Sequence, residues 1–147
     1  KTVVANELVA VLCNDHARRR FDKPLNKLDK TAAKSSIALR ALNYYGKLYR
    51  IERQLKQADL QTRHEQRQRL AVPIWQAFLG WATQTLEAGV SHGKTREALT
   101  YLIKHQQGLQ NYLSDPRLPI SNILAEHVAK LGVRIWFGFS FPIASIN

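Results

Sequence analysis

The stretch TAAKSSIALRALNYYGKLYRIERQLK, from Thr31 to Lys56, carries the clearest secondary-structure signal in the chain. Its apolar residues recur at alternating steps of four and three, the spacing that places side chains along one side of an α-helix. Basic residues occupy the other sides. The pattern predicts a long amphipathic helix whose apolar stripe packs into a core. The residues of that stripe are Ile37, Ala41, Tyr44, Leu48, Ile51 and Leu55.

The sequence before this helix predicts one strand and one basic helix. VAVLC, Val9 to Cys13, is a short apolar run containing β-branched residues, which favours a strand. Asn14 or Asp15 directly after it suits a helix N-cap, so we expect a helix from about His16. We expect that helix to end before Pro24, because proline disfavours helical backbone in the residue that precedes it.

The sequence after the long helix predicts further helices. TRHE, Thr62 to Glu65, has the spacing of a capping box and predicts that a helix starts there. Pro73 lies within this region. Either the helix kinks at Pro73, or a first, polar helix stops and a second helix begins near Val72. Glycines and a serine between positions 89 and 93 predict a turn, and the apolar spacing from Ala98 to Leu109 predicts another helix.

Composition limits the class of protein. A chain of 147 residues with 45% apolar content is the size of one domain with a real core. Its single cysteine, Cys13, excludes an internal disulfide, and neither a bilayer-spanning run nor a signal peptide is visible, so we expect a cytoplasmic setting. The sequence contains no methionine. We therefore expect it to be cut from a longer reading frame.

The net charge of +11 is concentrated in the first half of the chain. Residues 1–70 contain 16 Lys and Arg against 7 Asp and Glu, a net +9, while residues 71–147 contain 6 against 4, a net +2. Such asymmetry is typical of a polyanion partner, since lysines and arginines on phosphates release condensed counterions. A solvated helical surface explains the same charge without any partner.

HARRRF, His16 to Phe21, places three consecutive arginines in the first turns of the basic helix. Successive helical residues point about a hundred degrees apart, so the three cannot all face one ligand. Two could hold a phosphate backbone while the third pairs with Asp15 or Asp22. Cys13 and His16 are too few ligands for a tetrahedral zinc site. The candidate DNA-contacting residues are His16, Arg18, Arg19, Arg20, Lys47, Arg50 and Arg53.

LPISNILAEHVAK, Leu118 to Lys130, contains one carboxylate, Glu126. Ser121 or Asn122 suits the N-cap of a helix here. Glu126 then lies outside the apolar side of that helix. It precedes Lys130 by four positions, the spacing of an ordinary helix ion pair. The residues alone therefore describe Glu126 as a surface residue.

Three segments together resemble a known family. CNDHARRRF (Cys13 to Phe21), YYGKLYRIER (Tyr44 to Arg53) and the run from KTREALTYL through DPRLPISNILAEHVAK (Lys94 to Lys130) are similar, in order and rough spacing, to the C-terminal part of transposases of the insertion-sequence sixty-six family. The resemblance covers most of the chain, from about Val9 to Lys130, and three motifs in the right order make it fairly specific.

The resemblance implies a DDE-type catalytic domain with a ribonuclease-H-like core. In such enzymes two aspartates and a later glutamate hold Mg²⁺ or Mn²⁺. They cut DNA at transposon ends, and the freed 3′ hydroxyl then attacks target DNA. The glutamate corresponds to Glu126, which the resemblance makes catalytic and metal-binding. Two bound cations can stabilise both the attacking and the leaving oxygens of a phosphoryl displacement, and hard cations prefer carboxylate oxygens.

Two of the three carboxylates that the family uses are missing. Both family aspartates lie upstream of the segment matching CNDHARRRF, and no aspartate here stands in a matching context. We therefore expect no cleavage by this chain alone and no tight metal binding, although a complete parent would be a metal-dependent strand-transfer enzyme. LGVRIWF, Leu131 to Phe137, only approximates the sequence that follows the glutamate in the family. The aspartates present are Asp15, Asp22, Asp29, Asp59 and Asp115.

The expected fold is mainly α, a helical region attached to the last part of a ribonuclease-H-like α/β core, with at most one or two short strands. Residues 1–147 would form one partial domain: strand and basic helix in 1–23, a helical insertion in 30–113, and the Glu126 segment with an apolar tail in 114–147. Expected partners are DNA, both transposon ends and target, and a further copy or a full-length transposase, with no membrane. A noncatalytic regulatory module, supported by the heptad-like stripe, and an inactive remnant are the alternatives.

Overall fold

The computed structural model describes residues 12–34 and 36–121, and these residues are mainly helical. The prediction of a mainly α fold is confirmed. The predicted strand at Val9 to Cys13 lies largely outside the described residues, and Leu12 and Cys13, which are described, belong to no strand. The helical elements are α1 (Asn14–Asn26), α2 (Lys30–Lys34), α3 (Ile37–Gln54), α4 (Leu60–Gln66), a π segment (Arg67–Ala71), α5 (Val72–Glu87), α6 (Lys94–Lys104), α7 (Gln106–Gln110) and a 3-10 turn (Asn111–Leu113).

Helix α3 lies at the centre of the core. It packs against α1, α5 and the π segment, while α6 packs on α1 and α5. Most of the predicted stripe is buried, although Tyr45 replaces Tyr44 as the fully buried tyrosine. Tyr44 is partly exposed and stacks on Phe78 with ring centroids 4.8 Å apart. The stripe is therefore covered by this chain itself, and it offers no open face to a partner helix.

Aromatic side chains fill the space between α3 and α5. The Tyr45 ring meets Phe78 and Trp75 edge-on, with centroids 5.2 and 6.1 Å away. Edge-to-face contacts of this kind add to the burial of large apolar surfaces. The indole of Trp75 donates a hydrogen bond of 3.0 Å to the hydroxyl of Tyr112, so these two buried polar groups satisfy each other. Burial raises the pKa of both Tyr45 and Tyr112.

The ends of the first helices differ from the prediction. The long helix does not run unbroken from Thr31, because α2 is separate and Ser36 caps α3: its hydroxyl accepts a hydrogen bond of 3.0 Å from the backbone N–H of Leu39. Helix α1 continues through Pro24 to Asn26, so the predicted stop was wrong. Leu25, beyond the proline, packs against the core, and this burial favours another turn of helix.

The helices around Pro73 differ from the prediction in their start and in their continuity. Asp59, not the TRHE box, caps α4: its carboxylate accepts from the N–H of Thr62 at 2.8 Å, and the helix begins at Leu60. The helical backbone does not stop before Pro73, since the residues that join α4, residues 67–71 and α5 all have right-handed helical dihedral angles, and Pro73 lies in the first turn of α5. A π segment joins the two helices, a feature that the sequence did not predict.

The predicted turn between α5 and α6 is confirmed. Gly89 has φ +94° and Gly93 has φ +152°, backbone conformations that residues with a Cβ rarely adopt. Helix α6 follows directly and buries Leu99 and Leu102. The turn thereby returns the chain across the core, so that α6 lies beside α1.

Candidate nucleic-acid interface

A basic groove runs between α1 and α6. Four residues of α1 line one wall, and each lies three or four positions from another of the four, which places them near one side of the helix. The groove has a volume of about 410 Å³ and is open to solvent. Below it, α1 buries Ala17 and Phe21 against the core, which fixes the exposed side of the helix toward the groove. The lining residues are His16, Arg19, Arg20, Lys23, Lys94, Glu97, Ala98 and Tyr101.

Arg20 is held in place by an aromatic ring from α6. Its guanidinium carbon lies 4.0 Å from the centroid of the Tyr101 ring, a cation–π distance. The Tyr101 ring itself contacts the His105 ring, with centroids 4.4 Å apart. A ring contact attracts the guanidinium through its charge and not through its N–H groups, so the contact orients Arg20 without using its hydrogen-bonding capacity.

Glu97 is the acidic residue that lines the groove, and it is paired. Its carboxylate lies 2.9 Å from the ammonium of Lys94, at side-chain exposures of 58% and 60%. Exposed pairs of this kind contribute little to stability. Beside them, Arg96 lines an adjoining shallow pocket together with Arg20. Lys94 in the groove and Arg96 beside it were not among the predicted contacts, and neither was Lys23 of α1.

Arg18 differs from the two arginines that follow it. Its guanidinium lies 3.7 Å from Asp15 and 3.9 Å from Asp22, so the prediction that one of the three arginines pairs with an aspartate is confirmed. Arg18 does not line the groove, whereas His16, Arg19 and Arg20 do. The structure thus separates the four α1 candidates into three at the groove and one in an ion-pair network.

The remaining candidates form a second basic surface on α3. Lys47, Arg50 and Arg53 are all exposed, on the sides of the helix away from its buried stripe. The ammonium of Lys47 lies 5.6 Å from the ring centroid of Tyr44, in the range of a cation–π contact. These residues belong to a helix that does not line the groove. They are therefore a separate candidate contact surface.

The first turn of α1 is bound to the segment that leads toward Glu126. Asn14 is fully buried, and its amide donates to the backbone carbonyls of Leu109 and Ile120, both at 2.9 Å. Its own backbone N–H also donates to Ile120, at 3.3 Å. Asn14 is therefore not the N-cap that we predicted; the residue at the cap position is Cys13. The side chain is used instead for a long-range contact.

Asp15 is not the N-cap either, since it lies inside α1. Its carboxylate accepts hydrogen bonds from two side chains that are distant in sequence. The Tyr49 hydroxyl donates to one of its oxygens, and the Ser121 hydroxyl donates to the other at 3.2 Å. Burial raises the pKa of Tyr49, and the bond to Asp15 raises it further. Cys13 lies 3.7 Å from the Ser121 hydroxyl. Ile120 and Ser121 are thereby hydrogen-bonded to the first turn of α1, shortly before the segment that contains Glu126.

The Asn14 contact gives a test of this attachment. Asn14→Asp should lower the free energy of unfolding by about 2–3 kcal/mol, because a buried carboxylate would face two carbonyl oxygens and lose both donors. The deficit should shrink in acid, since burial raises the pKa of the new carboxyl and its protonated form can donate again. Urea unfolding at several pH values measures both effects.

Asn43→Asp makes the same chemical change at an exposed position of α3 and serves as the control. We expect it to change the stability by less than about 0.5 kcal/mol. Equal effects of the two substitutions would show that the amide of Asn14 contributes nothing special.

The metal-binding prediction rests on residues that the structure does not describe. Glu126 lies outside the described residues. Within residues 12–34 and 36–121, no group of three or more His, Cys, Asp or Glu side chains is placed to hold a metal ion. The described part of the chain therefore does not supply a ligand set that fits the divalent cation, and we derive no chemical step through a metal here.

Comparison with known proteins supplies the family. Residues 1–138 match the family profile described as "Transposase IS66 family". The chain belongs to this transposase family. A protein of Sinorhizobium fredii (strain NBRC 101917 / NGR234) named "Uncharacterized protein y4hP" is 31% identical over 84% of this chain and 24% of its own length. A second from the same strain, "Uncharacterized protein y4qI", is 26% identical over 86% of this chain and 23% of its own length.

The transposase family match confirms the resemblance seen in the sequence. This chain spans about a quarter of the length of the curated relatives that it matches. No solved structure matches it. In the part of the transposase chain that the structure describes, no helix is long and apolar enough to cross a membrane.

Proposed function

We propose that this chain is the C-terminal part of a DDE transposase and that it binds DNA during transposition. The family match over residues 1–138 carries this proposal, because it includes both basic surfaces and Glu126. The bound DNA would be transposon ends and target. Contacts from Lys and Arg to phosphates position a protein on the duplex without reading its sequence.

Within this proposal, Glu126 is the third metal-binding carboxylate of the complete enzyme. The other two carboxylates would come from aspartates upstream of the matched motifs, in a ribonuclease-H-like core that binds Mg²⁺ or Mn²⁺. Residues 30–113 would then be a helical insertion between the second aspartate and Glu126, and residues 1–147 one partial domain. Alone, the chain would bind DNA but not cut it.

The hydrogen-bonded position of Ile120 and Ser121 supports this role for the segment that follows. The hydroxyl of Ser121 donates a hydrogen bond to the carboxylate of Asp15, and the carbonyl of Ile120 accepts one from the amide of Asn14. Catalytic side chains work only when the surrounding structure holds them close to the productive geometry. Contacts that fix the chain shortly before Glu126 fit such a requirement.

DNA binding by this chain should depend steeply on salt. A labelled duplex of arbitrary sequence should bind, and four phosphate contacts should weaken its affinity roughly a hundredfold between about 50 and 200 mM salt. Fluorescence anisotropy over a series of salt concentrations measures the slope of log affinity against log salt. No binding at the lowest salt, or affinity that does not change with salt, would reject this function.

A further inference from the structure

We propose that the groove between α1 and α6 is a binding site for the phosphate backbone of duplex DNA, in which Arg19, Lys23 and Lys94 contact phosphates and Tyr101 positions Arg20. This inference rests on the proposed DNA-binding function. It assigns the contact to one of the two basic surfaces and adds residues of α6 to it.

The charge of the groove is the first argument. Arg19, Arg20 and Lys23 come from one wall and Lys94 from the other, against one carboxylate, Glu97. Cations on two facing walls act on the same volume, and a cleft focuses their field more than a convex surface does. Lys47, Arg50 and Arg53, by contrast, project from a single helix. The groove is therefore the better place for a polyanion.

The position of Arg20 is the second argument. A free arginine side chain must lose its rotamer freedom when it binds a phosphate. The Tyr101 ring, 4.0 Å from the guanidinium carbon, already restricts Arg20 in the absence of a ligand. A preorganised cation binds an anion more tightly than a mobile one, because less entropy is lost on binding.

The ion pair between Lys94 and Glu97 is the third argument. Because both side chains are more than half exposed, the pair is weak and can exchange partners. A phosphate in the groove would compete with Glu97 for the Lys94 ammonium. Glu97 therefore limits the affinity of the groove, and its removal should increase DNA binding.

The first experiment compares two pairs of substitutions that remove the same charge. Lys23→Gln with Lys94→Gln should reduce the slope of log affinity against log salt by about 1.8, or 0.9 for each lost phosphate contact. Lys47→Gln with Arg50→Gln removes two charges from α3 and should leave the slope nearly unchanged. Equal losses for both pairs, or a larger loss for the α3 pair, would overturn the assignment to the groove.

The second experiment leaves the net charge of the groove unchanged. Tyr101→Leu removes the ring under Arg20 and should weaken duplex binding about two- to fivefold, whereas Tyr101→Phe keeps the ring and should bind like the original chain. Circular dichroism checks that both variants are folded. If the folded Leu variant binds as tightly as the Phe variant, Tyr101 does not position Arg20.

Glu97→Gln and a single-stranded probe complete the test. Glu97→Gln should raise duplex affinity a few-fold, and an unchanged or lower affinity would contradict the role of Glu97. A single strand of the same length should bind less tightly than the duplex, since its charge density is lower; a preference for the single strand would overturn the duplex assignment. An original chain that binds no duplex rejects the proposed function itself, whereas binding that ignores every groove substitution rejects only the groove.

Discussion

Arg67→Ala is expected to lower the free energy of unfolding by about 3–5 kcal/mol, a large fraction of the stability of a typical domain. Arg67 lies in the π segment and is only 2% exposed. Its guanidinium binds both carboxylate oxygens of Glu52, at 3.0 and 2.8 Å, and donates to the Tyr112 carbonyl at 2.8 Å. Without it, the mostly buried Glu52 carboxylate and that carbonyl would lose their partner.

Urea unfolding followed by circular dichroism measures the loss, with Arg69→Ala as the control. Arg69 is exposed in the same π segment, and its guanidinium donates a hydrogen bond to the side chain of Gln66. We expect its replacement to change the free energy of unfolding by less than about 0.5 kcal/mol. Arg67→Lys should also be strongly destabilising, because an ammonium cannot reproduce the planar fork that binds Glu52. If Arg67→Ala were as mild as Arg69→Ala, the buried network would not stabilise the fold.

Glu126→Gln is expected to abolish metal-dependent DNA cleavage in a longer protein of the family that carries this segment together with the upstream aspartates. The amide keeps the size of the side chain but removes the negative charge that attracts a divalent cation. DNA binding should remain largely intact, because the basic surfaces are unchanged. Gel analysis of strand cleavage with Mg²⁺ or Mn²⁺, beside an anisotropy measurement of binding, separates the two properties.

Glu65→Gln is the matched control for the loss of one carboxylate. Glu65 is exposed on α4, where it accepts a hydrogen bond from Gln61, so its replacement should leave cleavage unchanged. Cleavage that survives Glu126→Gln would show that Glu126 is not the third carboxylate.

The fold was predictable where local periodicity determines it. The stripe of α3 was recognised because apolar residues at helical spacing must be buried somewhere, and Ala41, Leu48 and Ile51 are buried. The helix ends were less predictable, since several side chains near them form hydrogen bonds with residues that are distant in sequence. Asparagine often caps helices, but the side chain of Asn14 instead donates hydrogen bonds to the backbone carbonyls of Leu109 and Ile120. No local sequence rule identifies such distant partners.

The candidate site was predictable only on one of its walls. The run HARRRF identified His16, Arg19 and Arg20, which do line the groove, but it did not identify Lys23 on the same wall. Lys94 belongs to a helix far along the chain, and only the packing of α6 on α1 brings it to the same place. The burial of Arg67 was not predicted, because its partners Glu52 and Tyr112 are also distant in sequence.

The hydrogen bonds of Asn14 hold the two ends of the described helical region together. Its backbone and side chain bind Ile120, and Leu12 donates to Gly108 at 3.2 Å, so the chain enters and leaves the helical region at neighbouring points. A unit whose two ends lie close together can be inserted into a single loop of another domain.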